Sequence, residues 1–174
     1  MSLKIRTERL ELIAETAELG KAEVSGRASL AEALDADVPE DWPPENVRDV
    51  VELFATKLHR EPELAGWLNW YWLHVEPATG RRTLIGSGGF TSPPVDGVVA
   101  IGYSVLPRHQ RKGYATEAVH ALTAWAFSHQ EVKRIIAETL PDNAPSIRVL
   151  ARNGFRRVPG ASEPGHARFA LDSA

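Results

Sequence analysis

Along the chain, apolar and polar positions alternate in some stretches and recur every three to four residues in others. "RLELIAE" (9–15) sets Leu10, Leu12 and Ala14 against charged neighbours, the period of a half-buried strand. Thr16 is placed to cap a following helix whose apolar positions include Leu19, Ala22 and Leu30. The proline- and acid-rich "DADVPEDWPPENV" (35–47) reads as a loop. Asn46 is then placed to cap a second helix, with Val47, Val50, Val51, Phe54 and Leu58 at helical spacing. "GWLNWYWLHVE" (66–76), "TLIGSGGFTS" (83–92) and "VVAIGYSVLP" (98–107) read as three antiparallel strands. "PATGRR" and "PPVDG" mark the turns between them.

From Gly113 the period becomes helical again: Ala115, Ala118, Val119, Leu122, Trp125 and Ala126 make one stripe on a helix of about 15 residues. "KRIIAETLP" (133–141) returns to strand. "NAPSIRVLARNGF" (143–155) predicts a short helix capped by Asn143 and stopped at Gly154. "FRRV" and "HARFALD" close a final hairpin. The predicted order is strand, two helices, three strands, helix, strand, helix, strands. That is an α+β fold with a mixed sheet in a single domain, 1–174.

The composition narrows the chemistry. The chain of 174 residues has no cysteine, which excludes disulfides, thiolate metal sites and a cysteine nucleophile. A net charge of −3 argues against general nucleic-acid binding. The N-terminal "MSLKIRTERLELIAE" has charges throughout and no apolar core of a secretion signal, and no stretch is long enough to span a bilayer. A cytoplasmic protein without a membrane partner or a metal is expected.

Against this acidic background, Arg108, His109, Arg111 and Lys112 stand within five positions, just before Gly113 and a helix. A helix N-terminus offers unpaired N–H groups and the positive end of its dipole, which suits phosphate. Gly113 lets the backbone approach a ligand closely. The P-loop pattern G-x-x-x-x-G-K-[ST] and the dinucleotide pattern G-x-G-x-x-G are both absent. What stands here is Gln110-Arg111-Lys112-Gly113-Tyr114-Ala115, or Q-x-x-G-x-A.

That hexapeptide, between "IGYSVLP" and "GYATEAV", resembles the acetyl-CoA pyrophosphate loop of the GNAT superfamily of N-acetyltransferases. "LPDNAPSIRVLARNGFRRV" and "IRTERLELIAE" are similar to segments of its RimJ/RimL branch, the ribosomal-protein N-terminal acetyltransferases. The resemblance implies the GNAT fold, with the sheet splayed between the strands at 98–107 and 133–141. It implies acetyl-CoA as the acyl donor, held by the backbone of Arg111, Lys112, Gly113, Tyr114 and Ala115, with Gln110 opening the loop and Thr116 in the first helical turn. Ser104, Val105 and Leu106 would pair with the pantetheine arm, and an N–H near Val105 or Leu106 would stabilise the oxyanion. Asn143 would contact pantetheine as well as cap its helix. Ser146 would lie near the sulfur and protonate the departing thiolate. Leu150 stands where many relatives carry a tyrosine acid.

With no cysteine, direct transfer to a primary amine in a ternary complex is expected, the acceptor being a protein N-terminus or a small molecule. Glu138, alone in the apolar strand "IIAETLP", is the candidate base, or else an edge-exposed glutamate. A non-catalytic acyl-CoA-sensing module would keep the same loop. His74, His120 and His129 read as structural or surface residues. In 31–52 eight acids (Glu32, Asp35, Asp37, Glu40, Asp41, Glu45, Asp49, Glu52) face one base, Arg48. This stretch is either an acidic rim for a cationic amine or a solvated loop. Trp42, Trp67, Trp70, Tyr71 and Trp72 are either site walls or core. An exposed edge strand is compatible with a homodimer.

Overall fold

The computed structural model describes residues 3–174. One sheet of eight strands runs in the order β1-β2-β3-β4-β5-β6-β8-β7. The strands are β1 (Lys4–Arg6), β2 (Leu10–Ala14), β3 (Asn69–Val75), β4 (Arg82–Phe90), β5 (Val98–Val105), β6 (Arg134–Thr139), β7 (Arg156–Val158) and β8 (Ala167–Asp172). Helices α1 (Ala17–Ser25), α2 (Arg27–Leu34) and α3 (Arg48–Arg60) lie between β2 and β3; α4 (Tyr114–Phe127) follows β5 and α5 (Ala144–Arg152) follows β6.

Most predicted elements are present, with three differences. The first predicted helix breaks at Gly26, at φ 132°, into α1 and α2. Apolar residues on both sides fit one continuous period, so periodicity alone runs through the break. Asn46 lies in a 3-10 turn, and α3 begins without a side-chain cap. The Asn46 Oδ1 instead accepts from Ser104 Oγ at 2.9 Å, bridging to β5. A short extra strand, β1, pairs with β2. Thr16 and Asn143 cap α1 and α5, accepting from the N–H groups of Leu19 and Ser146.

Both faces of the sheet are covered. Leu10, Leu12, Trp70, Trp72 and Ile85 pack with Val119, Leu122 and Ala126 of α4 and Leu150 of α5. Ile13, Tyr71, Leu73 and Leu84 pack the other way, against Leu19, Leu30 and Leu34. Strand alternation produces this division, because neighbouring residues point to opposite faces. Trp70, Tyr71 and Trp72 are wholly buried, so the aromatic strand is core. On α3 only Leu58 is buried; Val47, Val50 and Phe54 of the same stripe stay half-exposed. No helix among the described residues is long and apolar enough to cross a membrane.

Two features shape the centre. β5 and β6 are parallel but pair only over Val98–Ala100 and Arg134–Ile136, then diverge. Beside the gap, β4 carries glycines where its neighbours lean in: a Cβ on Gly88 would lie 2.5 Å from the Tyr103 Cβ and 2.7 Å from the Trp72 ring. Tyr103 and Trp72 stack over it at 6.3 Å between ring centroids.

Candidate active site

Two cavities lie beyond the point where β5 and β6 part, one against the loop before α4 and against α5, the other against β6. One, of about 600 Å3, is lined by Ser104, Val105, Gln110, Arg111, Gly113, Ala115 and residues of α5. The other, of about 370 Å3, lies under α3 and is lined by Val47, Val50, Phe54, Asn69 and Glu138 among others. Asn46, Tyr103, Asn143 and Ser146 line both, so the cavities meet at these four residues.

The larger cavity is rich in donors. Arg111 has φ +64° and Gly113 +84°. Left-handed residues in a tight loop turn successive amides towards one side, forming an anion-binding concavity. No backbone N–H from Arg111 to Thr116 donates to a protein acceptor among the described residues. Donors partly withdrawn from water cost free energy unless paired, so the loop suits a group rich in acceptors. Arg108 is committed to Asp41 at 3.0 Å, whereas Arg111 and Lys112 have no ion-pair partner among the described residues. Arg148 and Arg152 of α5 also face this cavity. Sequence reasoning missed them, although their spacing of four, with Pro145 and Val149, marks one helical face.

A brace holds the loop from behind. Glu117, in the first turn of α4, accepts from Thr7 Oγ1 at 2.6 Å and from Arg9 N and Nε, each at 2.7 Å. Arg9 Nη1 donates to the Lys112 carbonyl at 2.8 Å, and its guanidinium lies 4.4 Å from the Tyr114 ring centroid. Burial pushes the Glu117 carboxyl up, but the bonds from Thr7 and Arg9 outweigh it and hold it below the usual range.

β5 presents alternate backbone groups to the gap. The Leu106 N–H donates to Ile85 O at 2.8 Å and Leu106 is wholly buried, so this residue faces β4. The expected pairing of Leu106 with pantetheine and its service as an oxyanion donor are therefore corrected. By ladder alternation it is Val105 whose N–H and C=O face the gap. The Val105 carbonyl accepts from Gln110 Nε2 at 2.9 Å, which pins the start of the loop. Lys112 is exposed at the rim and does not line the cavity.

Asn143 uses Oδ1 for the Ser146 N–H at 3.3 Å and donates from Nδ2 to Thr139 Oγ1 at 3.1 Å, so its amide is partly occupied. Ser146 Oγ lies 3.2 Å from the Tyr103 hydroxyl. Burial raises the Tyr103 pKa, with the Ser146 bond opposing it. Tyr103 was not singled out from sequence; a tyrosine in an apolar strand looks like core.

Glu138 is not the isolated carboxylate the strand pattern suggested. Its Oε1 accepts from Ser162 N and Oγ, both at 2.9 Å, and its Oε2 from Arg168 Nε and Nη2 at 3.1 and 2.7 Å. Desolvation pushes its pKa up, yet Arg168 and Ser162 prevail and hold it below the usual value. It stays ionised at neutral pH and is a weak base. Leu150 is wholly buried.

The acetyltransferase (GNAT) domain profile matches residues 15–156, and the chain belongs to that family. It is thus an acetyl-CoA-dependent N-acetyltransferase by class. It is similar to the uncharacterized N-acetyltransferase YjdG of Bacillus subtilis, at 29% identity over 66% of this chain and 67% of that one. Its fold resembles the ribosomal-protein-S5-alanine acetyltransferase of Vibrio fischeri, with TM-score 0.64, 20% identity and coverage of 98% and 96%. It likewise resembles Mycobacterium smegmatis RimJ in complex with CoA-disulfide, with TM-score 0.64, 20% identity and coverage of 99% and 87%.

Proposed function

We propose that this single-domain chain moves the acetyl group of acetyl-CoA directly onto a primary amine, with an α-amino group or an amine of similar basicity preferred. The observation that carries this reading is the meeting of a donor-rich cavity and a separate smaller one at Tyr103, Asn143 and Ser146. The amides of Arg111–Ala115, with Thr116, would take the pyrophosphate, and Arg111, Lys112, Arg148 and Arg152 would add charge around it. Gln110 sets the loop. The pantetheine arm would run along the free edge of β5 at Tyr103 and Val105, towards Asn143; Ser104, whose backbone by the same alternation faces β4, would contribute only its place in the cavity lining. The Val105 N–H is the donor for the developing oxyanion.

The acceptor would enter under α3, with its apolar part against Val47, Val50 and Phe54. Glu138, ionised and already paired with Arg168, takes a proton from an ammonium poorly. The amine must then arrive already neutral. An α-amino group, with a pKa of about 8, is about one-tenth neutral at pH 7, whereas fewer than about one lysine in a thousand is. That difference favours a peptide N-terminus or a small amine of low basicity. The proposed transfer joins amine and thioester directly with no metal in the step, and we place it in the cytoplasm.

Mass spectrometry of a mixture of peptides and small amines incubated with acetyl-CoA tests the reading. The expected product is acetylation at α-amino groups, with lysine side chains nearly untouched. A chain that binds CoA but acetylates nothing would instead be an acyl-CoA-sensing module.

A further inference from the structure

Glu138 is held by Arg168 and Ser162, and Ser146 is an alcohol far too weakly acidic to be the final source of a proton. Some other group must carry the proton that the amine loses and the sulfur gains. Tyr103 is the titratable side chain that stands where the two cavities meet. It lines both cavities. Its hydroxyl is 3.2 Å from Ser146 Oγ and 3.4 Å from the Ser146 carbonyl. Its ring is stacked on Trp72 over the space that Gly88 leaves open, so the hydroxyl is held in one place.

Resting on the acetyl-transfer reading, we propose that Tyr103 is a proton shuttle from the acceptor nitrogen to the leaving sulfur, acting through Ser146. The amine lone pair forms the N–C bond to the thioester carbon, and the C–S bond then breaks. As it breaks, the Ser146 hydroxyl gives its proton to sulfur, the Tyr103 hydroxyl gives its proton to Ser146, and the nitrogen returns a proton to the Tyr103 oxygen. The nitrogen loses one proton, CoA leaves as the thiol, and both hydroxyls end as they began. No additional base, metal or oxidant is needed. A phenol suits this relay better than an aliphatic alcohol, because even with burial raising it from an ordinary pKa of about 10 it remains the more acidic hydroxyl. Burial keeps Tyr103 protonated at neutral pH, ready for the step.

Tyr103→Phe keeps the ring, the stack on Trp72 and the fill over Gly88, so the variant should fold and bind CoA normally. The experiment measures kcat, KM for acetyl-CoA, CoA affinity by calorimetry and rates in mixtures of light and heavy water. An acceptor found in the amine screen serves as substrate. The shuttle predicts a fall in kcat of roughly 100-fold or more, the usual worth of a positioned acid–base group, with KM within about twofold. It also predicts a bowed dependence of the wild-type rate on deuterium fraction, from several protons in motion, that straightens in Tyr103→Phe. Ser146→Ala should lose a similar factor, and the double variant should be no worse than the poorer single one.

A Tyr103→Phe enzyme within about threefold of wild type overturns the shuttle and leaves the transfer reading standing. So does a slower variant whose deuterium dependence keeps the wild-type curvature, which would reduce Tyr103 to a structural support. A wild-type chain that binds CoA yet acetylates no amine removes the transfer reading, and the shuttle with it.

Discussion

Glu15, the last residue of the alternating stretch "RLELIAE", is 1% exposed, and its Oε1 has no hydrogen-bond partner. It lies beneath α1 and α3, so close that a Cβ on Gly20 would sit 2.7 Å from Oε1 and 3.0 Å from Ala55. Glu23, itself bonded by Tyr71 and Trp42, adds like charge nearby. Burial first, and Glu23 second, push the Glu15 pKa from 4.5 to about 8, with Asn69 opposing. The folded protein therefore keeps this proton between about pH 4.5 and 8, while the unfolded chain has lost it. Stability falls as pH rises through that window, because the native state binds more protons. At 1.36 kcal/mol per unit over some 3.5 units, the loss is about 5 kcal/mol by pH 8. Glu23, also raised by burial, acts in the same direction. His109, lowered first by burial and then by Lys112 and Arg108, acts in the opposite one.

Glu15→Gln has the shape of the neutral acid and removes the titration, while Glu23 and His109 remain in both proteins. The difference between variant and wild type therefore isolates Glu15. Chemical denaturation at intervals from pH 5 to 8.5 should show the two proteins alike near pH 5. The variant should pull ahead by several kcal/mol at pH 8.5, and a gain of about 5 kcal/mol corresponds to roughly 10–20 °C in melting temperature for a domain of this size. Parallel curves across the whole range would mean that Glu15 does not hold a buried proton.

Two further outcomes follow from the site's supports. Arg9→Gln removes the ion pair to Glu117 and the bond to the Lys112 carbonyl, which brace the loop. Calorimetry should show CoA binding weaker by roughly tenfold, about 1.4 kcal/mol, with catalysis at saturating acetyl-CoA little changed. Arg168→Met leaves Glu138 without its cation. Since that carboxylate's folded pKa is depressed, its pairing stabilises the protein above about pH 4.5 and is lost as pH falls below it. Denaturation midpoints should therefore separate variant from wild type at pH 7 and draw together as pH falls below about 4.5.

What could be read from sequence was whatever local pattern controls. Strand alternation, the turns at "PATGRR" and "PPVDG", the Thr16 and Asn143 caps and the loop before α4 all depend on residues a few positions apart. The split of the β5–β6 pair came only from the family resemblance, since no residue in either strand marks it. The missed features are long-range. Arg168 reaches Glu138 across 30 positions, and Tyr103 meets Ser146 across 43. Nothing local distinguishes a paired glutamate from a free one. Asn46 has a good capping side chain, so sequence assigned it to a helix end; a contact with Ser104, 58 positions away, holds it instead. Glu15 had the polarity of a strand end, and only the packing of α1 and α3 over it makes it a buried acid.

Everything proposed for the site depends on the loop from Gln110 to Ala115 holding the pyrophosphate of CoA. Gly113 is the position to change. Its φ of +84° disfavours any side chain, and a Cβ there would lie 3.2 Å from the Arg9 guanidinium, on the backbone that meets the ligand. Isothermal titration of CoA into wild type and Gly113→Glu, each checked for a cooperative melt, measures the loop's contribution. Saturable binding to wild type is expected, with a loss of at least about 100-fold, near 2.7 kcal/mol, in a variant that still folds. Equal affinity in both proteins would place the pyrophosphate somewhere other than this loop.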